Sequence, residues 1–222
     1  MRVLITGSSS GIGLECAKKF LATGHEVFGL DLKPSKIENK NYHHCVVDIK
    51  DGDKLPTIDK VNIIFNNAGL QNSKDDISNN LKGTINVTEK YGIQEDIKSI
   101  LFNASASAQS GFEFPEYVAS KAGVVGYMKN VATRIAKYGA TANAISLGGV
   151  KTDLNKCVME DENMWKQIMD TTPLKKWMSV EEVAEWVYFL TVINMSMSGE
   201  DLLIDNGEYK LNSSFVWPGY NK

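Results

Sequence analysis

The chain has 222 residues, 43% of them hydrophobic, with 24 basic against 27 acidic side chains and a formal net charge of −3. That length suits one well-buried domain, and the mild negative charge leaves no basic footprint for nucleic acid or a membrane surface. No apolar run approaches the roughly 20 residues that cross a bilayer, the cysteines Cys16, Cys45 and Cys157 show no CxxC spacing, and Met1-Arg2 runs straight into the first apolar stretch; the expectation is a cytoplasmic protein without leader, disulfide frame or metal site.

Val3-Leu4-Ile5 reads as a buried strand, and Thr6-Gly7-Ser8-Ser9-Ser10-Gly11-Ile12-Gly13 follows it. Ile12, Cys16 and Phe20 then recur at intervals of four, the period of a helix that ends at Gly24. A strand turned by glycines into a helix N-terminus directs free backbone N–H groups and the positive end of the helix dipole at one point. A pyrophosphate suits that point, and glycine lets it approach the backbone.

Glu26–Leu30 reads as a second strand ending in Asp31. An acid about 20 residues after the glycine turn accepts the two hydroxyls of an adenine ribose. It would repel a ribose phosphate by roughly 4 kcal/mol at close range and intermediate dielectric. No Lys or Arg stands in the glycine turn to grip such a phosphate, so the expected cofactor is NAD rather than NADP.

A third strand spans His43–Asp48, with Asp48-Ile49 at its C-terminal end, and a fourth, Val61–Phe65, runs into Asn66-Asn67-Ala68-Gly69. Small and amide residues at such strand ends sit where doubly wound sheets bind ligands. A helix is expected from Asp76 to Thr88, with Asn80 unfavourable in its interior and therefore marked for a role or a buried hydrogen bond. A fifth strand, Ser99–Asn103, leads to Ala104-Ser105-Ala106-Ser107, and a long helix carries Tyr117 and Lys121. At i and i+4 these two share one face. The sixth strand is Thr141–Ser146, followed by Gly148-Gly149; Ser179 and Glu182 form a capping box for the helix from Val180; Asp201–Asp205 is the last strand. Alternating strands and helices imply an α/β fold, a single doubly wound, mostly parallel sheet with helices on both faces, over one domain of residues 1–222.

Together these motifs resemble the short-chain dehydrogenase/reductase family, from Val3 to about Gly207. The family's Thr-Gly-x-x-x-Gly-x-Gly stands at Thr6–Gly13, its Asn-Asn-Ala-Gly at Asn66–Gly69, its Tyr-x-x-x-Lys at Tyr117–Lys121, and its helix asparagine at Asn80. The family serine usually precedes the tyrosine by thirteen residues, which is Ala104 here; aligning the strand and Gly111 puts Ser105 in its place, with Ser107 second. The interval Gly69–Asn80 is shorter than in the family, Leu147 replaces a proline, and Asp205-Asn206-Gly207 replaces Asp-Gly-Gly.

The resemblance implies a catalytic set of Asn80, Ser105, Tyr117 and Lys121. It implies a cofactor set of Gly7, Ser9, Ser10, Gly11, Ile12, Gly13, Asp31, Leu32, Asp48, Ile49, Asn67, Ala68, Gly69, Tyr117, Lys121, Gly148, Val150 and Thr152. Nicotinamide carries the hydride and the protein supplies position and a proton. A free phenol, with pKa near 10, is a poor base at neutral pH; an ammonium beside it is expected to lower that value. Tyr117 would exchange the proton with an alcohol or ketone oxygen, Ser105 would orient that oxygen, Lys121 would hold the nicotinamide ribose, and Asn80 would hold a water linking Lys121 to solvent. The leading expectation is reversible oxidation of a secondary alcohol, with a small-molecule alcohol or ketone as substrate. The alternatives are reduction of a 3-oxoacyl thioester or a silent dinucleotide sensor. Segment 153–172 should close over the substrate, with Met159, Met164, Trp165 and Met169 lining an apolar pocket or packing on the domain. The resemblance also suggests a homodimer or homotetramer through the helices bearing Asn80 and Tyr117. Phe215, Trp217 and Pro218 in the tail 210–222 are apolar enough to pack on the domain or a neighbour.

Overall fold

The structure, a computed structural model, describes residues 1–211; the apolar tail residues Phe215, Trp217 and Pro218 lie outside them. Its strands are β1 (Arg2–Thr6), β2 (Glu26–Asp31), β3 (Tyr42–Val46), β4 (Ile63–Asn66), β5 (Ser99–Asn103), β6 (Thr141–Leu147) and β7 (Asp201–Ile204). They form one parallel sheet in the order β3-β2-β1-β4-β5-β6-β7. The order reverses between β1 and β4, and in such sheets that is where a crevice opens beyond the strand C-termini.

The side-chain period of two splits each central strand between two cores. Val3, Ile5, Ile63, Phe65 and Leu101 pack with Cys16, Ala17 and Phe20 of α1 (Gly11–Ala22) and Val183, Ala184 and Val187 of α7 (Val180–Tyr188). Leu4, Ile64, Ile100 and Phe102 pack on the other face with Val87 and Tyr91 of α2 (Thr84–Tyr91) and with Val124, Met128 and Val131 of α4 (Pro115–Ile135). Burial on both faces explains the near-continuous apolar strands. Between β5 and α4 lies the single turn α3 (Ser107–Ser110).

Two local features depart from the sequence pattern. The helix expected from Asp76 to Thr88 is π-helical over Ile77–Gly83 and α-helical only from Thr84. The wider turn presents Asn79 and Asn80 inward together, and both are buried. Segment 153–172 folds into α5 (Lys156–Met159) and α6 (Glu162–Thr171), the latter capped by Asp161, whose side chain accepts the Asn163 and Met164 N–H groups at 3.0 and 2.9 Å. The Ser179 capping box is formed in both directions, at 3.2 and 2.9 Å.

Candidate active site

A cavity of about 780 Å³ opens beyond the strand C-termini, from the glycine turn to the N-terminal half of α4. At one end Gly7, Ser10, Gly11 and Ile12 form its wall. Ser10 is the N-cap of α1, but its side chain caps nothing, and the first turn holds no acid. The N-terminal N–H groups and the dipole are thus left for an external anion.

Asp31, at the tip of β2, is fixed by accepting the Ser9 and Lys33 backbone N–H groups, each at 2.9 Å. Leu32 and Lys33 line the cavity beside it, as do Asp48 and Ile49 beyond β3. These residues suit an adenosine, and Gly148, Val150 and Thr152 line the opposite wall.

A chain of hydrogen bonds crosses the strand ends. Thr6 Oγ1 accepts the Asn67 and Ala68 N–H groups, each at 2.9 Å. Asn67 Oδ1 accepts from Asn103 Nδ2 at 3.0 Å, and the Asn103 carbonyl accepts from Lys121 Nζ at 2.7 Å. Lys121 is thereby held beside Ala68 and Gly69, and its Nζ lies 5.7 Å from the centre of the Tyr117 ring. The Ser105 hydroxyl stands near enough to the Tyr117 phenol to favour its charged form. Ser105, Tyr117 and Lys121 all line the cavity. Ser107 does not: it is buried, and its N–H donates to Ser105 Oγ at 3.2 Å.

The electrostatics of the pair run against the sequence expectation. Burial is the main cause for both groups and disfavours both charges: the phenol is pushed up to about 12 and the ammonium down to about 8. Buried Asp76 works the other way on Lys121 and favours its charged form. Its carboxylate accepts from the Asn72 and Ser73 N–H groups at 2.9 and 3.1 Å and from the Ser73 hydroxyl at 2.5 Å.

Three residues of the expected set stand behind the cavity surface. Ser9 is fully buried, with its N–H on Asp31 and its hydroxyl donating to the Lys33 carbonyl at 3.1 Å; it shapes the turn. Gly13 lies under the turn, where a Cβ would meet the Gly7 carbonyl oxygen at 2.1 Å and Asn67 Nδ2 at 2.7 Å. The glycine there serves close packing of α1 against β1. Asn80 donates to the Leu70 carbonyl at 2.8 Å, accepts the Leu70 N–H at 2.7 Å and donates to Ser120 Oγ at 3.1 Å. Its amide is fully engaged in holding the shortened Gly69–Asn80 connection against α4, and the wall residue is its neighbour Asn79. Met159, Met164, Trp165 and Met169 do not line the cavity. Leu154, Val158 and Ile168 do, while Trp165 turns to pack edge-on against Trp177 at 5.1 Å. The sequence pattern also passed over Thr6, Asn103, Trp177, Glu113 and Glu208. The polar residues at the ends of β1 and β5 were the signal for the first two.

Comparison with known proteins decides the family. The model of the family described as Enoyl-(Acyl carrier protein) reductase matches residues 7–208. The chain belongs to the short-chain dehydrogenase/reductase family. A 3-oxoacyl-[acyl-carrier-protein] reductase FabG of Buchnera aphidicola is 27% identical over 93% of this chain and 96% of its own length. The reductase MabA of Mycobacterium tuberculosis is 26% identical over 92% and 91%. A putative 2-deoxy-d-gluconate 3-dehydrogenase from Agrobacterium tumefaciens, solved with bound NADP, superposes with a TM-score of 0.84 at 25% identity, over 93% of this chain and 95% of that one. A 4-hydroxyisoleucine dehydrogenase complexed with NADH superposes at 0.82 and 22% identity, over 95% and 99%, and shares the fold. This short-chain dehydrogenase/reductase is an oxidoreductase of nicotinamide dinucleotides with a Rossmann-type sheet.

Proposed function

We propose that the protein interconverts a secondary alcohol and a ketone with NAD as its preferred cofactor. The observation that carries this reading is a single cavity with the glycine turn and Asp31 at one end and Tyr117, Ser105 and Lys121 farther along it. Bound nicotinamide supplies or accepts the hydride. The chain's own residues do the rest. Tyr117 gives a proton to the ketone oxygen in reduction or takes one from the alcohol in oxidation. Ser105, which favours the charged form of that phenol, orients the same oxygen. Lys121 carries positive charge near the phenol and reaches the ribose of the cofactor. Asn80 acts from behind, by fixing Leu70 and the wall beside Lys121.

Asp31 favours NAD, since two backbone N–H groups hold its charge where a ribose phosphate would have to sit. The free state of Cys16, Cys45 and Cys157 supports a reducing, cytoplasmic setting. We also propose a homodimer or homotetramer through the helices bearing Asn80 and Tyr117; a monomer by light scattering would remove that part.

The test is NADH oxidation against a panel of ketones, with Tyr117→Phe as control. Turnover should fall by about 10²–10⁴-fold in the variant, while NADH still binds. A variant as active as the parent would overturn the role of Tyr117. The names of the curated relatives favour a second reading, reduction of a 3-oxoacyl thioester by the same residues. Acetoacetyl thioesters belong in the panel for that reason.

A further inference from the structure

The rim of the cavity beyond Tyr117 is acidic. Glu113, in the loop before α4, and Glu208, in the turn after β7, line the same cavity as Ser105 and Tyr117. Two contacts organise this rim. Gln71, from the shortened connection, donates to Glu113 Oε2 at 2.9 Å and leaves Oε1 to other donors. The Tyr209 ring stacks on Phe112 with centres 6.4 Å apart, which ties the turn carrying Glu208 to the loop carrying Glu113. Glu113 also holds a left-handed backbone, φ +86, a conformation uncommon outside glycine.

The basic side chains that line the cavity are Lys33 and Lys121. Lys33 stands past the tip of β2, at the far end, and Lys121 is anchored to the Asn103 carbonyl. Neither carboxylate has an ion pair among the described residues. Glu113 as a residue is exposed, yet enough protein surrounds its carboxyl to raise its pKa, against the Gln71 hydrogen bond and the more distant Lys121 charge, which lower it. Glu208 is raised by burial, and further by Asp205 and Glu113. Glu208 thus bears a like charge beside it, a burden that an opposite charge placed at this rim relieves. Across the cavity, Leu154, Val158, Ile168 and Trp177 offer an apolar wall.

We infer that the ketone or alcohol accepted here carries a fixed or protonated amine, held by Glu113 and Glu208 while its hydrocarbon lies against the Leu154–Trp177 side. This rests on the oxidoreductase reading for its chemistry, but the binding preference stands apart from turnover. The acidic rim repels a carboxylate and gives no advantage to a neutral polyol.

The experiment uses a charge-only pair: acetonyl-trimethylammonium and its isostere neopentyl methyl ketone, with levulinate as the anion. With NADH present, kcat/KM for the cation should exceed that for the isostere by at least about tenfold at low salt and fall toward it at high salt. Levulinate should be the poorest. In Glu113→Gln/Glu208→Gln the ratio of cation to isostere should drop to near one. Calorimetric binding of the same pair to the NADH complex must show the same order. A parent ratio of one or below, or a ratio untouched by the double substitution, overturns the inference. Absence of turnover on all three, with the cation still bound preferentially, would instead count against the secondary alcohol–ketone reading and leave the cationic subsite standing.

Discussion

Tyr117 and Lys121 illustrate how burial changes what residue identity alone implies. Spacing alone makes the lysine an acidifier of the phenol, but enclosure pushes the phenol up to about 12 and the ammonium down to about 8. Asp76 and Glu113 favour the ammonium but work against the phenolate, which Ser105 favours. A consequence for stability follows. An unfolded lysine titrates at about 10.5 and the folded one at about 8. Between those values the unfolded chain holds more protons, so this group makes the protein more stable as pH rises through the window. Below pH 8 the fold bears the full burden of the buried charge, about 3 kcal/mol at most. Lys121→Met removes that titration. Urea unfolding at pH 7.5 and pH 10 should show the stability gap between parent and variant moving in the parent's favour at the higher pH. A gap that stays flat would mean that Lys121 titrates near its ordinary value in the fold.

At the scale of elements, the legible parts are those with a strong period or a terminal signal. The strands are apolar on both faces and lead into Gly7, Asp31, Asn67 and Gly148, so their parallel arrangement and the ligand-binding strand ends could be drawn from the sequence, while their order came from the structure. The Ser179–Glu182 box was legible because its two hydrogen bonds are local. Ser179→Ala should cost about 1 kcal/mol in urea unfolding, since α7 packs Val183 and Val187 into the core it shares with α1. A loss below a few tenths would show that packing alone fixes the helix start. What stayed hidden depends on contacts distant in sequence. The π-helical turn at Ile77–Gly83 follows from Asn80 reaching back to Leu70 and across to Ser120. Period alone counts Asn80 as one polar residue in an α-helix. In segment 153–172 the Met and Trp residues left a pocket and packing on the domain both open; α6 presents Ile168 to the cavity and gives Trp165 to Trp177. The rotation of a short helix about its axis cannot be read without its partner.

For the whole molecule, the cavity couples fold and cofactor. The glycine turn, Asp31, the Thr6–Asn67–Asn103–Lys121 chain and the wall at Gly148–Thr152 come from five strand ends and α4, and one ligand spanning them would clamp the C-terminal edge of the sheet. A ligand that binds only the folded state adds about 2.7 kcal/mol at a concentration a hundred times its Kd. For a chain of 222 residues, each kcal/mol is worth roughly 2–4 °C in Tm. Saturating NADH should therefore raise Tm by about 5–10 °C. NADPH at the same concentration should raise it distinctly less, because its extra phosphate would meet the Asp31 carboxylate, with Lys33 as the one basic side chain lining that end of the cavity among the described residues. Asp31→Ala should narrow the difference between the two dinucleotides while lowering the Tm of the free protein, since the Ser9 and Lys33 N–H groups lose their acceptor. If NADPH shifts the parent as far as NADH does, Asp31 does not read the ribose, and the preference for NAD falls while the family assignment stands.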